Sequence, residues 1–178
     1  MKIYLTYGFA IAFANLLLAA ILFFLGFHSD PDKLGPAQAI GTAGGLAISI
    51  IGIVLGTKAR RAEVPSSEPF GYGRALGAGV MITLFAALIT IVTHWLYLTV
   101  INPGFTDVML QSQVAKMEAS GLSSTQIENA EAMMRRMMHP ALQAIFAFIG
   151  ALVFGVIISL ITAAFLKRSE TTPPPIAA

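Results

Sequence analysis

The feature of this sequence that most constrains its fold is a set of four stretches without any Asp, Glu, Lys or Arg. They cover residues 3–27, 37–57, 75–101 and 141–166, which is more than half of the 178 residues. A helix that crosses a hydrocarbon core of about 30 Å needs about 20 apolar residues, and each stretch is long enough. In lipid only helices and closed barrels satisfy their backbone, and barrel strands would alternate over about ten residues. The sequence therefore predicts an all-α integral membrane protein, a four-transmembrane-helix bundle.

Composition supports this class and excludes others. Only 11% of the residues are charged, against about 25% in a typical soluble domain. The absence of cysteine excludes a disulfide framework, a thiolate metal site and a cysteine nucleophile. A net charge of +2 without a long basic run gives no indication of a nucleic-acid partner. The first stretch is longer than the apolar core of a signal peptide, so we expect it to be a retained span.

Lysine and arginine are distributed unevenly between the two predicted sides of the membrane. Seven of them lie on the side of both termini, namely Lys2, Lys58, Arg60, Arg61, Arg74, Lys167 and Arg168. Four lie on the opposite side, namely Lys33, Lys116, Arg135 and Arg136. Cytoplasmic loops of membrane proteins carry the excess of positive charge. We therefore expect both termini to be cytoplasmic.

The segment after the third stretch is the largest polar region between two predicted spans. Asn102-Pro103-Gly104 ends the span, and Thr106 is suited to be the N-cap of a helix whose first turn contains Asp107. Three apolar side chains then recur at helical spacing: Leu110, Val114 and Met117. This spacing predicts an amphipathic helix over residues 107–119.

A second helix is predicted over residues 125–139, with Ser123 or Ser124 as its N-cap and with Pro140 beginning the fourth span. The two helices together predict an amphipathic αα-hairpin over about residues 106–139. The charge distribution places this hairpin on the extracytoplasmic side.

The second hairpin helix is rich in methionine, and its candidate partner surface consists of Met133, Met134, Met137 and Arg135. Methionine repacks easily against varied partners, which favours a surface that binds another membrane or periplasmic protein. In a first alternative, the methionines only pack on the bundle or on lipid headgroups. In a second, their thioethers bind a soft metal such as Cu(I).

A candidate intramembrane polar site is predicted from three residues. His94 lies in the third span, about 10 Å from its end, Thr90 lies one turn earlier, and Asn15 lies near the middle of the first span. An ionisable side chain inside a membrane is a functional candidate because its burial is costly. The three side chains would line a path for a proton or a solute. The alternative is structural, with a neutral imidazole hydrogen-bonded at a contact between helices.

Small residues on two spans predict close packing between helices. The second span contains Gly41, Gly45, Gly52 and Gly56, and the fourth has a small residue at every fourth position: Ala147, Ala151, Gly155, Ser159 and Ala163. Such faces let helix backbones approach each other, within a bundle or in a homo-oligomer. We expect residues 1–168 to form a single membrane domain and residues 169–178, which contain three consecutive prolines, to be a disordered cytoplasmic tail.

The sequence lacks the common catalytic motifs, including a nucleophile elbow, a His-Glu-x-x-His zinc motif and a Walker loop. His28 and His139 both lie near the extracytoplasmic side, but a zinc site would need a third ligand. We therefore expect no enzymatic activity, no cofactor and no metal.

Several short motifs resemble a known family. They are Phe70-Gly71-Tyr72-Gly73-Arg74, Ile101-Asn102-Pro103-Gly104-Phe105, Gly121-Leu122-Ser123, Gln126-Ile127-Glu128, Pro140 and Ile157-Ile158-Ser159-Leu160-Ile161. In these motifs the chain is similar to a bacterial membrane family catalogued as domain of unknown function 4199. The resemblance covers nearly the whole chain and is most specific in the hairpin. It implies a four-span protein of the bacterial cytoplasmic (inner) membrane and brings no activity, cofactor or catalytic residue.

Three functional hypotheses follow from the sequence. The first is a non-catalytic scaffold or accessory subunit that presents the hairpin to a partner. The second is a small oligomeric transporter or channel with its polar residues on the third span. The third, a membrane enzyme, has no nucleophile or metal constellation to support it.

Overall fold

The computed structural model describes residues 1–168, and the predicted tail, residues 169–178, lies outside this part of the chain. Within residues 1–168 the fold consists of six α-helices and no β-strand. They are α1 (Lys2–Phe24), α2 (Leu34–Ala62), α3 (Tyr72–Leu96), α4 (Phe105–Ala119), α5 (Ser124–Met137) and α6 (Pro140–Leu166). A short π-helical segment, Tyr97–Ile101, continues α3.

Four helical segments are long and apolar enough to cross a membrane: Lys2–Phe24, Pro31–Ala62, Tyr72–Ile101 and Pro140–Leu166. Many of their large apolar side chains point away from the protein, including Phe9, Leu17, Ile51, Val92, Phe154 and Phe165. Side chains of this kind would be unfavourable in water and are favourable against lipid chains. The predicted all-α membrane fold with four spanning helices is confirmed.

The C-terminal ends of α1 and α2 differ from the ends of the corresponding charge-free stretches, residues 27 and 57. α1 already ends at Phe24, because Gly26 adopts a φ of 80° and turns the chain. α2 extends to Ala62, beyond the predicted end. The charged residues after residue 57 mark where the chain leaves lipid, and the helix itself continues into the aqueous layer.

The bundle is centred on α3, which packs against α1 and α6. A Cβ atom added at Gly79 of α3 would lie 2.6 Å from Ser159 Oγ of α6. Gly155 of α6 likewise leaves no room for a side chain beside Thr83. The close packing predicted for the small residues of the fourth span is therefore found against α3. That predicted for the second span is found at Gly52 and Gly56 of α2, where an added Cβ would collide with Ile11 and Ile82. Because α3 already covers this face of α6, a homo-oligomer would have to use another face.

One end of the bundle carries the N-terminus, the loop of residues 63–71 and the end of α6, and we call it the terminal end. Phe70 and Arg168 exchange backbone hydrogen bonds of 3.1 and 2.8 Å as an antiparallel pair. The Arg168 guanidinium also donates to the carbonyl oxygens of Val64, Pro65 and Glu68, at 3.3, 2.8 and 3.0 Å. These contacts fix the loop to the last turn of α6.

The opposite end carries the connection between α1 and α2 together with α4 and α5, and we call it the α4–α5 end. α4 packs against α5 and against the 3₁₀ turn Pro31–Lys33. Ser123, one of the two predicted positions, is the N-cap of α5 and forms a capping box with Gln126. The extracytoplasmic position of this unit stays a prediction.

The prediction that Thr106 caps the first hairpin helix is wrong. α4 begins at Phe105, two residues before the predicted start at residue 107, with Gly104 as its N-cap and no side-chain cap. The Phe105 N–H donates to the Asn102 carbonyl at 3.2 Å, so the Asn102-Pro103-Gly104 turn itself starts the helix. The backbone of this turn takes the place of a capping hydroxyl.

Candidate functional site

A hydrogen-bonded group of polar and aromatic side chains lies at the α4–α5 end, and we call it the His28 cluster: His28, Tyr97, Asn102 and Phe105. The π-helical segment Tyr97–Ile101 shapes it, because the Asn102 N–H donates to the Tyr97 carbonyl at 2.7 Å. This wider turn brings the Tyr97 and Asn102 side chains to the same location. π-Helical turns occur frequently at functional sites of proteins.

Hydrogen bonds join three segments of the chain in this cluster. The Asn102 side-chain amide donates to the Tyr97 hydroxyl at 3.2 Å and to the His28 carbonyl at 3.3 Å. His28 Nδ1 is hydrogen-bonded to the Tyr97 hydroxyl. The Phe105 ring completes the cluster, with its centroid 4.8 Å from that of His28 and 5.6 Å from that of Tyr97. The cluster therefore ties the α1–α2 connection to the end of α3 and the start of α4.

Burial determines the protonation of His28. The side chain is only 9% exposed, and this burial lowers the pKa of His28 below its usual value. The Tyr97 hydroxyl oxygen accepts from the Asn102 amide, and it shares one further hydrogen with His28 Nδ1. The tautomer of the neutral imidazole determines which of the two groups donates in that bond.

A cavity of about 240 Å³ lies beside this cluster, and we call it the polar chamber after the polar side chains at its otherwise apolar wall. Its polar and aromatic lining residues are Asn15, His28, Thr90, Thr93, His94, Tyr97 and Phe105, and Ala12, Leu16 and Ala19 complete the lining. The structure thus brings the three predicted polar residues, His94, Thr90 and Asn15, around one space. Whether they act in transport or only in packing stays a prediction.

Two of the predicted polar residues bond within their own helices. Thr90 Oγ donates to the Ala86 carbonyl at 2.9 Å, and the Asn15 amide donates to the Ile11 carbonyl at 2.9 Å. His94 faces Gln143 of α6. A neutral imidazole at this contact matches the structural alternative, and its position on the chamber wall also matches the functional one.

A second cavity, of about 340 Å³, adjoins the chamber and shares Asn15 and Thr90 with it. Its lining is mainly apolar and includes Ile11, Ile53 and Phe154, so we call it the apolar groove. A third cavity, of about 250 Å³, shares Asn15 and His28 with the chamber. Three adjoining spaces therefore meet at Asn15.

A larger cavity, of about 520 Å³, lies at the terminal end. Its charged side chains are already paired: Arg60 with Glu63 at 2.8 Å and Arg74 with Glu68 at 3.1 Å. Arg60 also donates to the Tyr4 hydroxyl at 3.0 Å. Because each guanidinium has a carboxylate partner, this cavity offers an anionic ligand little net attraction.

The structure exposes only part of the predicted partner surface. Met133 and Met137 are 64% and 48% exposed, whereas Met134 is half-buried. Arg135 donates to Glu131 at 3.0 Å and lies 3.6 Å from Asp107 of α4. The guanidinium therefore links α5 to α4, and Met133 and Met137 form the exposed apolar part of the surface.

Among residues 1–168 no group of three His, Asp or Glu side chains is placed to hold a metal ion. His139 instead caps α6, where the Ala141 N–H donates to its Nδ1 at 3.3 Å. His28 lies in the polar cluster, hydrogen-bonded to Tyr97. The two histidines considered for zinc thus have separate hydrogen-bond partners.

Sequence reasoning missed the His28 cluster as a unit. In the sequence, Asn102 indicated only the end of a helix, and His28 only a possible zinc ligand. The signal was present, since His28, Tyr97 and Phe105 are aromatic side chains near the same predicted membrane surface. What the sequence did not indicate is the π-helical turn that brings Tyr97 and Asn102 together.

Fold and cavities define a four-span helical membrane protein with a polar chamber near one end of its bundle. The chain belongs to the family described as protein of unknown function (DUF4199), which it matches over residues 6–168. The resemblance seen in the sequence motifs is thereby confirmed. A search of curated proteins and a search of solved structures each find no match for the chain.

Proposed function

We propose that the protein is a non-catalytic membrane scaffold or accessory subunit that presents α5 to a partner protein. The observation that carries the proposal is the exposure of α5, none of whose residues is buried. α4 packs against one side of α5, and the other side exposes Met133 and Met137. Exposed apolar side chains grouped in this way are typical of an interaction surface. The partner we propose is another membrane or periplasmic protein with an apolar groove that takes Met133 and Met137.

The local design of the α4–α5 unit supports this role. The capping box at Ser123 and the ion pairs of Arg135 hold α5 in place without using its methionines. Met133 and Met137 lie one helical turn apart, so both can enter one groove. Because methionine side chains are flexible, they adapt to the shape of the groove.

The test is crosslinking combined with reconstitution. Benzoylphenylalanine is introduced in native membranes at Met133 or Met137, and at the exposed Gln111 of α4 as a matched control. We expect the same single protein to be captured from both methionine positions and not from Gln111. The purified partner should then bind the wild-type protein and lose binding to the double variant Met133→Glu, Met137→Glu.

The control for this experiment is folding, since both methionines are exposed and their replacement should leave the helix content unchanged. Capture of lipid or of other copies of this chain from both methionine positions would refute the proposal. Unchanged binding of the partner to the double variant would refute it as well.

The proposed orientation has both termini in the cytoplasm of a bacterial cell and the protein in its inner membrane. The lack of natural cysteine allows a direct test with single introduced cysteines. A membrane-impermeant maleimide should label Thr125→Cys in intact cells and Ser66→Cys only after permeabilisation. The reverse labelling pattern would invert the orientation and place α5 in the cytoplasm.

A second candidate is a small oligomeric transporter or channel. It is favoured by the single cavity that His94, Thr90 and Asn15 share. This hypothesis predicts that His94→Ala reduces solute flux in proteoliposomes while the melting temperature stays unchanged. Leu88→Ala, which alters an exposed side chain of the same helix, is the control. An equal loss of flux and stability would point to a structural role of His94.

A further inference from the structure

The apolar groove opens towards the surrounding lipid between α2 and α6. Its floor is formed by α1 and α3, whose lining residues Ile11, Thr83 and Ala86 are buried. Its rim is exposed, since Leu46 of α2 is 44% exposed and Phe154 of α6 is 63% exposed. Within residues 1–168 the lining has no Asp, Glu, Lys or Arg. A hydrocarbon chain fits such a groove and can enter it from the membrane.

Cationic residues lie at the terminal end of the same two helices, and we call them the α2–α6 cation cluster: Lys58, Arg61 and Lys167. Lys58 and Arg61 lie one turn apart on α2, and residues at this spacing are neighbours on a helix surface. The Arg61 guanidinium donates to the Leu166 carbonyl of α6 at 3.3 Å, and Lys167 is the next residue. Both lysines are exposed. The three residues therefore lie where the ends of α2 and α6 meet.

The carboxylates at the terminal end do not neutralise this cluster. Within residues 1–168, the acidic residues at this end are Glu63 and Glu68. Glu63 pairs with Arg60 and Glu68 pairs with Arg74, and all four side chains line the larger cavity of about 520 Å³. In the part of the chain that the structure describes, no ion pair includes a residue of the cluster. The cluster therefore keeps its positive charge for an anionic ligand.

The cluster and the groove are within the reach of one lipid molecule. Residues 37–57 of α2 carry no charge, so Lys58 marks the edge of the hydrocarbon layer. One leaflet covers half of a core of about 30 Å, which is about 15 Å. Ser49 of the groove lies nine residues before Lys58, and Ile158 lies nine residues before Lys167, so each is about 13 Å deep at about 1.5 Å per residue. A chain whose head group lies at the cluster therefore reaches the nearer half of the groove.

We propose that the α2–α6 cation cluster and the apolar groove bind one anionic phospholipid. Its phosphate accepts hydrogen bonds from Lys58 and Arg61, and one acyl chain lies in the groove between Ser49 and Ile158. Arginine has five N–H donors, so the bond of Arg61 to the Leu166 carbonyl leaves others for the phosphate. Basic sites between spanning helices are typical of sites for anionic head groups. The site lies at the opposite end of the bundle from α5 and is independent of the partner proposed there.

The test is native mass spectrometry of the full chain in detergent, titrated with dioleoyl phosphatidylglycerol or dioleoyl phosphatidylcholine. The two lipids have the same chains and differ in net charge. We expect one phosphatidylglycerol to bind at least about tenfold more tightly than phosphatidylcholine, because each Lys or Arg near an anionic lipid contributes about fivefold. Equal affinity for the two lipids would overturn the proposal.

The contribution of the cluster is measured with charge variants. Lys58→Gln should weaken phosphatidylglycerol binding about fivefold, and the double variant Lys58→Gln, Arg61→Gln should weaken it about 25-fold. Lys2→Gln is the matched control, because it removes the charge of another exposed lysine at the terminal end. It should bind as wild type does. An equal loss in Lys58→Gln and Lys2→Gln would overturn the site in favour of diffuse attraction by the charge of this end.

The contribution of the groove is measured with Ser49→Leu, which adds bulk to its wall. This variant should bind both lipids more weakly and leave the ratio of their affinities unchanged, since the two lipids have the same chains. Leu55→Phe enlarges an exposed side chain of α2 outside the described lining and should have no effect. Unchanged lipid binding in Ser49→Leu would overturn the placement of the chain.

Melting curves report the fold of each variant, and the charge variants lie outside the charge-free part of α2, so the test does not depend on the folding of Ser49→Leu. Displacement by glycerol phosphate as effective as by phosphatidylglycerol would overturn the proposal in favour of an anion site without an acyl chain. A lipid-free dimer that Ser49→Leu disrupts would overturn it in favour of a second copy of this chain in the groove.

Discussion

The four-helix bundle and the α4–α5 unit are stabilised in different ways. In the bundle, backbones approach so closely that several glycines have no room for a Cβ atom, as at Gly8 and Gly155. In the α4–α5 unit, α5 buries no residue and is held by a capping box and exposed ion pairs. Close packing therefore stabilises the four-helix bundle, whereas local interactions stabilise the α4–α5 unit at its end.

The magnitudes of these interactions differ accordingly. Overfilling a packed core costs about 1–3 kcal/mol, a helix cap contributes about 1 kcal/mol, and an exposed ion pair contributes about 0.2–1 kcal/mol. Helices shorter than about 12–15 residues are marginal by themselves, and α5 has 14 residues. The α4–α5 unit should therefore open at a lower free energy than the bundle.

The largest expected loss of stability is in the bundle and results from Gly8→Ala in α1. The added Cβ would lie 2.7 Å from Phe85 Cβ and 2.8 Å from the Ala86 backbone nitrogen, and a backbone atom cannot move aside easily. We expect the free energy of unfolding in mixed micelles to fall by about 1–3 kcal/mol. Gly77→Ala, with no atom within 4 Å of its added Cβ, is the matched control. An equal effect of both substitutions would contradict close packing at Gly8.

The next effect concerns the terminal end, where Arg168→Ala removes the donor to three loop carbonyls. Hydrogen bonds to charged groups contribute about 1.5–3 kcal/mol when buried, and the partial exposure of Arg168 reduces this to about 1–2 kcal/mol. Limited proteolysis should cut the loop of residues 63–71 faster in this variant. Lys167→Ala, an exposed neighbour, should leave the rate unchanged.

The pH dependence of stability tests the boundary between the two regions, where His28 lies. Burial lowers the pKa of His28, so below about pH 6.5 the unfolded chain binds a proton there that the folded protein does not. The free energy of unfolding should therefore decrease as the pH falls, by at most about 1.4 kcal/mol per pH unit, until the pH reaches the lowered pKa. Above about pH 6.5 this contribution is constant.

The measurement compares denaturation of wild type and His28→Gln between about pH 5 and pH 8, the range in which histidines titrate. The variant should show a flatter profile. Gln111→Ala changes an exposed side chain that does not titrate, at the same end of the bundle, and should leave the pH profile of wild type unchanged, so it serves as the control. Profiles of equal slope in wild type and His28→Gln would show that the His28 cluster accepts a charged imidazole.

How much of this architecture the sequence predicts depends on the region. The spans were predicted from the absence of charge, which follows directly from the cost of charge in lipid. The N-cap of α5 was narrowed to Ser123 or Ser124 because a capping hydroxyl is a local signal, and the structure has Ser123. The start of α4 was misplaced, since the turn at Asn102 uses backbone groups that no side chain reveals. The polar chamber depends on contacts between distant segments, such as His28 with Tyr97, and spacing along one helix does not indicate them.

The smallest loss of stability is expected in the α4–α5 unit and results from Ser123→Ala. The substitution removes the capping box at the start of α5, where the Gln126 N–H donates to Ser123 Oγ at 3.4 Å. We expect amide hydrogen exchange in α5 to increase by an amount equivalent to about 1 kcal/mol, while exchange in the bundle stays unchanged. Ser124→Ala, at the first residue of the helix, is the matched control.

If exchange in α3 and α6 rose together with that in α5, the two regions would unfold as one cooperative unit. The α4–α5 unit would then be part of the bundle's stability, and the exposed methionines would lie on a rigid platform. Faster exchange confined to α5 would instead mean that the unit opens independently. A partner that binds Met133 and Met137 would then order it, and that partner's affinity would increase with any substitution that strengthens the cap.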